Sequence, residues 1–159
     1  MFCGDNDSDN YETDKMGWDM IKDFIPKDKT LWCPFYCKGT QLKYLNELGF
    51  DDVIHKDEDF FESYYPNTTI IDNPPYGKKF KEVCIRLKEL DLPFIIIGLS
   101  SVLLTKWFQE LFKEHLQVIL PSKRPTFSHK DNPKKGYTPP YGTMYYCYKM
   151  NFPRDLIYI

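Results

Sequence analysis

The residues best suited to chemistry sit in one short stretch, Thr69-Ile70-Ile71-Asp72-Asn73-Pro74-Pro75-Tyr76-Gly77. A β-branched run over 68–71 reads as a buried strand, and it stops at an acid, an amide, two prolines and an aromatic ring. Pro74 and Pro75 lack a backbone N–H and fix φ, which drives Asn73 into an extended conformation. The carbonyls beside the prolines cannot enter a helix ladder, so they are free to accept from a ligand. The strand is expected to end in a rigid lip of hydrogen-bond acceptors.

The Asn73-Pro74-Pro75-Tyr76 tetrapeptide resembles the Asn-Pro-Pro-Tyr signature of amino-methyltransferases that use S-adenosylmethionine, above all the N6-adenine DNA methyltransferases. Small phage-type or viral members are the nearest in kind. The resemblance implies that the Asn73 side-chain oxygen and the Pro74 carbonyl accept from the target exocyclic amine, while Tyr76 stacks on the flipped base. The chemistry asks for such groups. An adenine amine is nearly planar because its lone pair is delocalised, and two fixed acceptors favour the pyramidal, charge-developing amine of the transition state. The expected catalytic set is Asn73, Pro74, Pro75 and Tyr76, and the implied cofactor is S-adenosyl-L-methionine.

Something must position this lip, and the order of segments suggests what. Lys29–Phe35 reads as a strand, Tyr36-Cys37-Lys38-Gly39-Thr40-Gln41 as a tight turn, and Leu42–Leu48 as a helix closed by Gly49. Such a unit opens a Rossmann-like sheet. In the methyltransferases the turn reads Asp/Glu-Pro-Phe-x-Gly-x-Gly and wraps the cofactor; Pro34, Phe35 and Gly39 match, whereas Cys33 replaces the acid and Cys37 the first glycine. Upstream, Tyr11-Glu12-Thr13-Asp14 is similar to the Tyr-x-Thr-Pro opening of compact adenine methyltransferases, which places Tyr11 and Thr13 over the methionine end of the cofactor. A plain helix cap by Thr13 or Asp14 is the competing reading. Asp52–His55 reads as a further strand, with His55 packed. Asp59 and Phe60 match the Asp-Phe pair of the family's cofactor-adenine site, and Asp57 is the candidate for the ribose hydroxyls.

Beyond the lip, Phe80, Val83, Ile85 and Leu87 mark a helix over 78–90. Lys78, Lys79 and Lys81 in its first turn oppose the macrodipole, which points to phosphate contact or a solvated face. A strand at 93–99, a helix at 105–114 and a strand at 116–120 follow. Residues 128–142 read as a long polar loop, and a last strand runs over 143–150. Arg124, Lys130, Lys134 and Lys135 are expected on nucleic-acid phosphates, with Phe127 as a second stacking surface. The second Pro-Pro-Tyr-Gly, at Pro139–Gly142, reads as turn chemistry.

These segments predict an α/β fold, a Rossmann-like three-layer sandwich whose mostly parallel sheet carries an antiparallel end strand, and the resemblance implies that it is a trimmed class I methyltransferase. The expected organisation is a mobile segment over 1–10, a methyltransferase domain over 11–150 and a C-terminal tail over 151–159. A formal charge of −2 excludes a globally basic nucleic-acid binder and leaves room for a local basic face. Five cysteines, an odd number at irregular spacing, suggest free thiols in a reducing, cytoplasmic compartment, that of a host cell if the source is viral. Neither a membrane span nor a metal site is expected. Nucleic acid is the expected partner, DNA ahead of RNA. The same motif serves methyltransferases of RNA and protein glutamine, and the two cysteine departures suggest an inactive, methyltransferase-like binding subunit as a further alternative.

Overall fold

The computed structural model describes residues 11–129, 132–137 and 141–159. The chain runs β1 (Tyr11–Thr13), α1 (Lys15–Asp19), β2 (Thr30–Trp32), α2 (Thr40–Glu47), β3 (Val53–Ile54), β4 (Thr68–Asp72), α3 (Lys78–Leu90), β5 (Phe94–Leu99), α4 (Lys106–Phe112) and β6 (Leu116–Leu120). It ends with β7 (Phe127–His129), β8 (Asn132–Tyr137), β9 (Thr143–Tyr148) and β10 (Leu156–Tyr158). Short 3-10 turns at Lys22–Phe24 and Ser100–Leu104 complete the elements.

Seven strands form one sheet in the order β10-β6-β9-β5-β4-β2-β3. All its pairs are parallel except the two that β9 makes, with β5 and β6. Successive side chains of a strand point to opposite faces, and the core divides accordingly. Ile70, Phe94, Ile96, Val118, Tyr146 and Tyr148 face α3 and α4, where Phe80, Val83, Leu87, Phe108 and Phe112 pack onto them. Ile71, Ile95, Ile97, Ile119, Tyr145 and Cys147 face the other layer, with Trp18, Ile21 and Leu45. Strands covered on both faces read as unbroken apolar runs, and Ile95, Ile96 and Ile97 are all fully buried.

Three expectations need correction. The antiparallel strand is not at the sheet's end: β9 lies between β5 and β6, and all six of its residues are buried. Two flanking strands satisfy its backbone, and Tyr146 Oη donates to the Leu99 carbonyl at 2.7 Å. The polar stretch after Phe127 is not a loop throughout, because β7 and β8 form a hairpin that β1 extends into a separate three-stranded antiparallel sheet. The last residues are not simply a tail. Leu156–Tyr158 pairs parallel to β6, with Leu156 opposite Val118. The segment 1–10 lies outside the described residues.

Candidate active site at the carboxyl ends of β2 and β4

The chain leaves β2 through α2 to β3 on one side, then crosses to β4 on the other side of β2. Such a reversal leaves a crevice beyond the carboxyl ends of the two strands, the usual ligand position in open α/β sheets. Here the crevice is shallow, its space about 300 Å³ when the open mouth is included. Tyr11, Glu12 and Thr13 line it from β1; Phe35, Tyr36 and Cys37 from the turn after β2; Gln41 from α2; and Asp72 and Asn73 from β4 and its lip. A second, shallower recess, about 170 Å³ with its open mouth included, is lined by Trp32, Pro34, Lys56, Glu58, Phe60 and Ser63.

Polar side chains fasten the two strand ends together. Asp72 is 1% exposed; its Oδ2 accepts from the Phe35 N–H at 2.7 Å and its Oδ1 from the Asn73 N–H at 2.8 Å. Burial pushes its carboxyl up to about 8, against the pull of those two N–H groups. Gln41 Nε2 donates to the Ile71 carbonyl at 2.7 Å and to Cys33 Sγ at 3.3 Å. Burial also holds the Cys33 thiol well above its ordinary value, so it is an inert, neutral group. His55, just past β3, lies 2.7 Å from the Cys33 carbonyl through Nδ1. A carbonyl only accepts, so Nδ1 carries the hydrogen and Nε2 presents a lone pair, buried and without a partner.

Unsatisfied acceptors and donors mark the same region. Asn73 Oδ1, Thr13 Oγ1 and Tyr76 Oη are all buried without a hydrogen-bond partner. Buried polar atoms are almost always paired in folded proteins, so the two orphans on residues that line the crevice, Asn73 Oδ1 and Thr13 Oγ1, require an explanation.

The structure brings part of the expected site together. Tyr11, Thr13, Phe35 and Asn73 share the main crevice, and Pro34 and Phe60 share the second recess. Gly39 starts α2 at φ 76°, a left-handed value that suits glycine. Asp57 and Asp59 are exposed and line neither recess; Asp59 Oδ1 instead accepts from the Phe61 N–H at 2.9 Å and holds a turn. Pro74 is buried and Pro75 half-buried beyond the crevice lining. Tyr76 turns inward, its ring centroid 6.3 Å from that of Phe80, and burial pushes its phenol far above the ordinary range. The expected capping role of Asp14 is not realised: it makes no side-chain cap bond, and its carboxylate accepts from Thr126 Oγ1 at 2.6 Å and from Ser128 Oγ, tying β1 to β7.

On the expected nucleic-acid side, Lys78 is exposed and Lys79 half-buried in the first turn of α3, and Arg124 is exposed after β6. Phe127 does not present a stacking face. Its ring is 2% exposed within the core that contains Trp18 and Ile119. Lys134 and Lys135 lie on β8, and Lys130 lies outside the described residues. Sequence reasoning missed Glu12, Gln41 and Asp72 as site residues. An acid closing a wholly buried strand was the available signal for Asp72, since lone buried carboxylates are rare.

No described helix is long and apolar enough to cross a membrane, and no three His, Cys, Asp or Glu side chains are grouped for a metal ion among the described residues. A scan against protein-family models finds no match, and a search of curated proteins finds none either.

Proposed function

We propose that this chain is an S-adenosylmethionine-dependent methyltransferase that acts on the exocyclic N6 amine of adenine in DNA. The observation that carries the reading is Asn73 Oδ1, an unpartnered buried acceptor at the lip of the crevice where the sheet reverses. An acceptor kept without a donor costs about 1–3 kcal/mol, which is reasonable where a substrate amine completes it. The residues fit the implied cofactor: Thr13 Oγ1 is an orphan on the crevice wall, Asp72 is an acid whose raised pKa reflects a buried place without a compensating cation, and the two recesses flank Pro34-Phe35. Tyr11, Thr13, Phe35 and Gly39 would hold the methionine end, with Pro34 and Phe60 at the adenine end. When bound, the cofactor supplies an electrophilic sulfonium methyl.

The chain's own residues then act on the acceptor. Asn73 Oδ1 and the Pro74 carbonyl receive hydrogen bonds from the amine and stabilise the positive charge that develops on it. The amine proton leaves to solvent after transfer. Tyr76 has to turn outward to meet a base, and Gly77 beside it, at φ 76° with open space where a Cβ would stand, gives the backbone that freedom. An adenine in a duplex must leave the stack to reach this lip, so single-stranded or mismatched DNA is the preferred substrate.

The test is Asn73→Ala. Methyl transfer to adenine-containing oligonucleotides should fall by about 10²–10³-fold, the usual cost of losing a transition-state hydrogen bond, while cofactor affinity by calorimetry stays within a few-fold. A variant with normal turnover removes Asn73 from the mechanism. The inward Tyr76 favours a second reading, an inactive methyltransferase-like binding subunit; it predicts cofactor binding without transfer to DNA, RNA or protein glutamine in an acceptor panel.

A further inference from the structure

The turn after β2 has no acid where the resemblance leads one to expect it. Cys33 is fully buried, neutral, and engaged by Gln41. The adjacent parallel strand ends in an acid of its own. β4 pairs with β2 in a register that sets Ile70 opposite Trp32, and two residues beyond Ile70 the Asp72 carboxylate reaches across to the Phe35 N–H, inside the very turn that Cys33 opens. Asp72 also lines the crevice.

We propose that Asp72 supplies, from β4, the carboxylate that β2 lacks at Cys33, and that it receives the α-ammonium group of the cofactor's amino-acid end. This inference rests on the proposed function and assigns one subsite within it. A carboxylate offers about four lone-pair positions, and the Phe35 and Asn73 N–H groups use two, so the carboxyl can accept again without giving up either strand end. Among the described residues, the groups that act on the Asp72 carboxyl are its burial, the two N–H donors and Glu12, with no cation among them. From β1, Glu12 adds charge of like sign, with its Oε1 already accepting from the Lys38 N–H at 2.9 Å; from β2, Cys33 is neutral; from the segment after β3, His55 is kept from charging by burial. Cys37, in the turn, completes the titratable groups lining the crevice together with Tyr11 and Tyr36.

The raised carboxyl gives the arrangement a signature. Below about 8 the free protein holds Asp72 as the neutral acid, and an arriving ammonium favours the carboxylate, so binding near neutrality expels a proton to the buffer. The pair that forms is a charge-assisted hydrogen bond between an ammonium donor and a carboxylate acceptor. A ligand without the α-amino group expels no proton.

Calorimetry on the full chain, with S-adenosylhomocysteine and its analogue lacking the α-amino group, tests this at pH 6.5 and 8.5 in buffers of different ionisation enthalpy. The wild type should prefer the amino ligand by about ten- to a hundred-fold at the higher pH, as expected for a hydrogen bond to a charged group. The preference should shrink at the lower pH, where proton release appears. Asp72→Asn should lose the preference at both pH values and keep its affinity for the des-amino analogue within about three-fold, whereas Glu12→Gln should retain the preference. Should Asp72→Asn fail to fold, proton release by the wild type with the amino ligand alone still decides the matter. An undiminished preference in Asp72→Asn, or a wild-type preference without pH dependence or proton release, overturns the assignment to Asp72 and leaves the methyltransferase reading standing. A wild type that binds neither ligand overturns both.

Discussion

Cys37 holds a left-handed backbone, φ 45°, although it carries a side chain. This conformation costs an ordinary residue about 1–2 kcal/mol relative to glycine, and glycine gives back about 0.5–1 kcal/mol through the entropy of its unfolded state. Cys37→Gly should therefore stabilise the fold by about 0.5–1 kcal/mol, read as a higher denaturant midpoint at unchanged slope. Because the position lines the crevice, removing the side chain should also tighten S-adenosylmethionine binding or leave it unchanged. Loss of binding in that variant would give Cys37 a positive contact with the ligand. The sequence pointed to glycine at this position by resemblance alone, and the backbone supplies the physical reason. Asp72 shows the opposite limit. Its type was in plain view, but its reach to Phe35 spans 37 positions of the chain and depends on two strands being neighbours.

At the scale of elements, legibility followed the length of the apolar pattern. The helical spacing over 78–90 gave α3 to the residue, and the β-branched runs of β4, β5 and β6 gave their strands within a residue of the ends. Four strands escaped: β1, β7 and β10 are three residues each and include Glu12, Ser128 and His129, and β8 reads Asn132-Pro133-Lys134-Lys135-Gly136-Tyr137, so no apolar alternation distinguishes them from loop. The partners of β1 and β10 lie far along the chain, as when Tyr11 pairs with His129 and Leu156 with Val118. Nor does chain order reveal that β9 inserts between β5 and β6. That insertion places a stringent demand on Gly98 of β5. A Cβ there would stand 2.7 Å from the Tyr146 ring and 2.9 Å from Phe80, both buried. Neither ring can yield easily in a packed core, so Gly98→Ala should cost about 1–3 kcal/mol. A urea midpoint equal to wild type would mean that β5 and α3 have slack the packing does not suggest.

For the whole molecule, two buried groups bend the dependence of stability on pH in opposite directions. Asp72 titrates near 3.8 when unfolded and about 8 when folded. Between those values the folded chain holds a proton that the unfolded chain has lost, so stability falls as pH rises across that window. His55 does the reverse, since burial lowers its folded value below the ordinary 6.5. From its folded value up to 6.5 the unfolded chain holds the extra proton, so this contribution rises with pH and is complete once the unfolded imidazole is neutral. Above that point Asp72 acts without this opposition. The melting temperature of the ligand-free protein should therefore decline between about pH 6.5 and 8, and Asp72→Asn should flatten that decline whatever its absolute stability. His55→Gln should instead steepen the net fall below pH 6.5, because it removes the one contribution of this pair that grows with pH there. A melting profile for Asp72→Asn that keeps the wild-type fall from pH 6.5 to 8 would mean that the carboxyl is ionised in the folded protein. In that case the two backbone N–H bonds from Phe35 and Asn73 outweigh its burial.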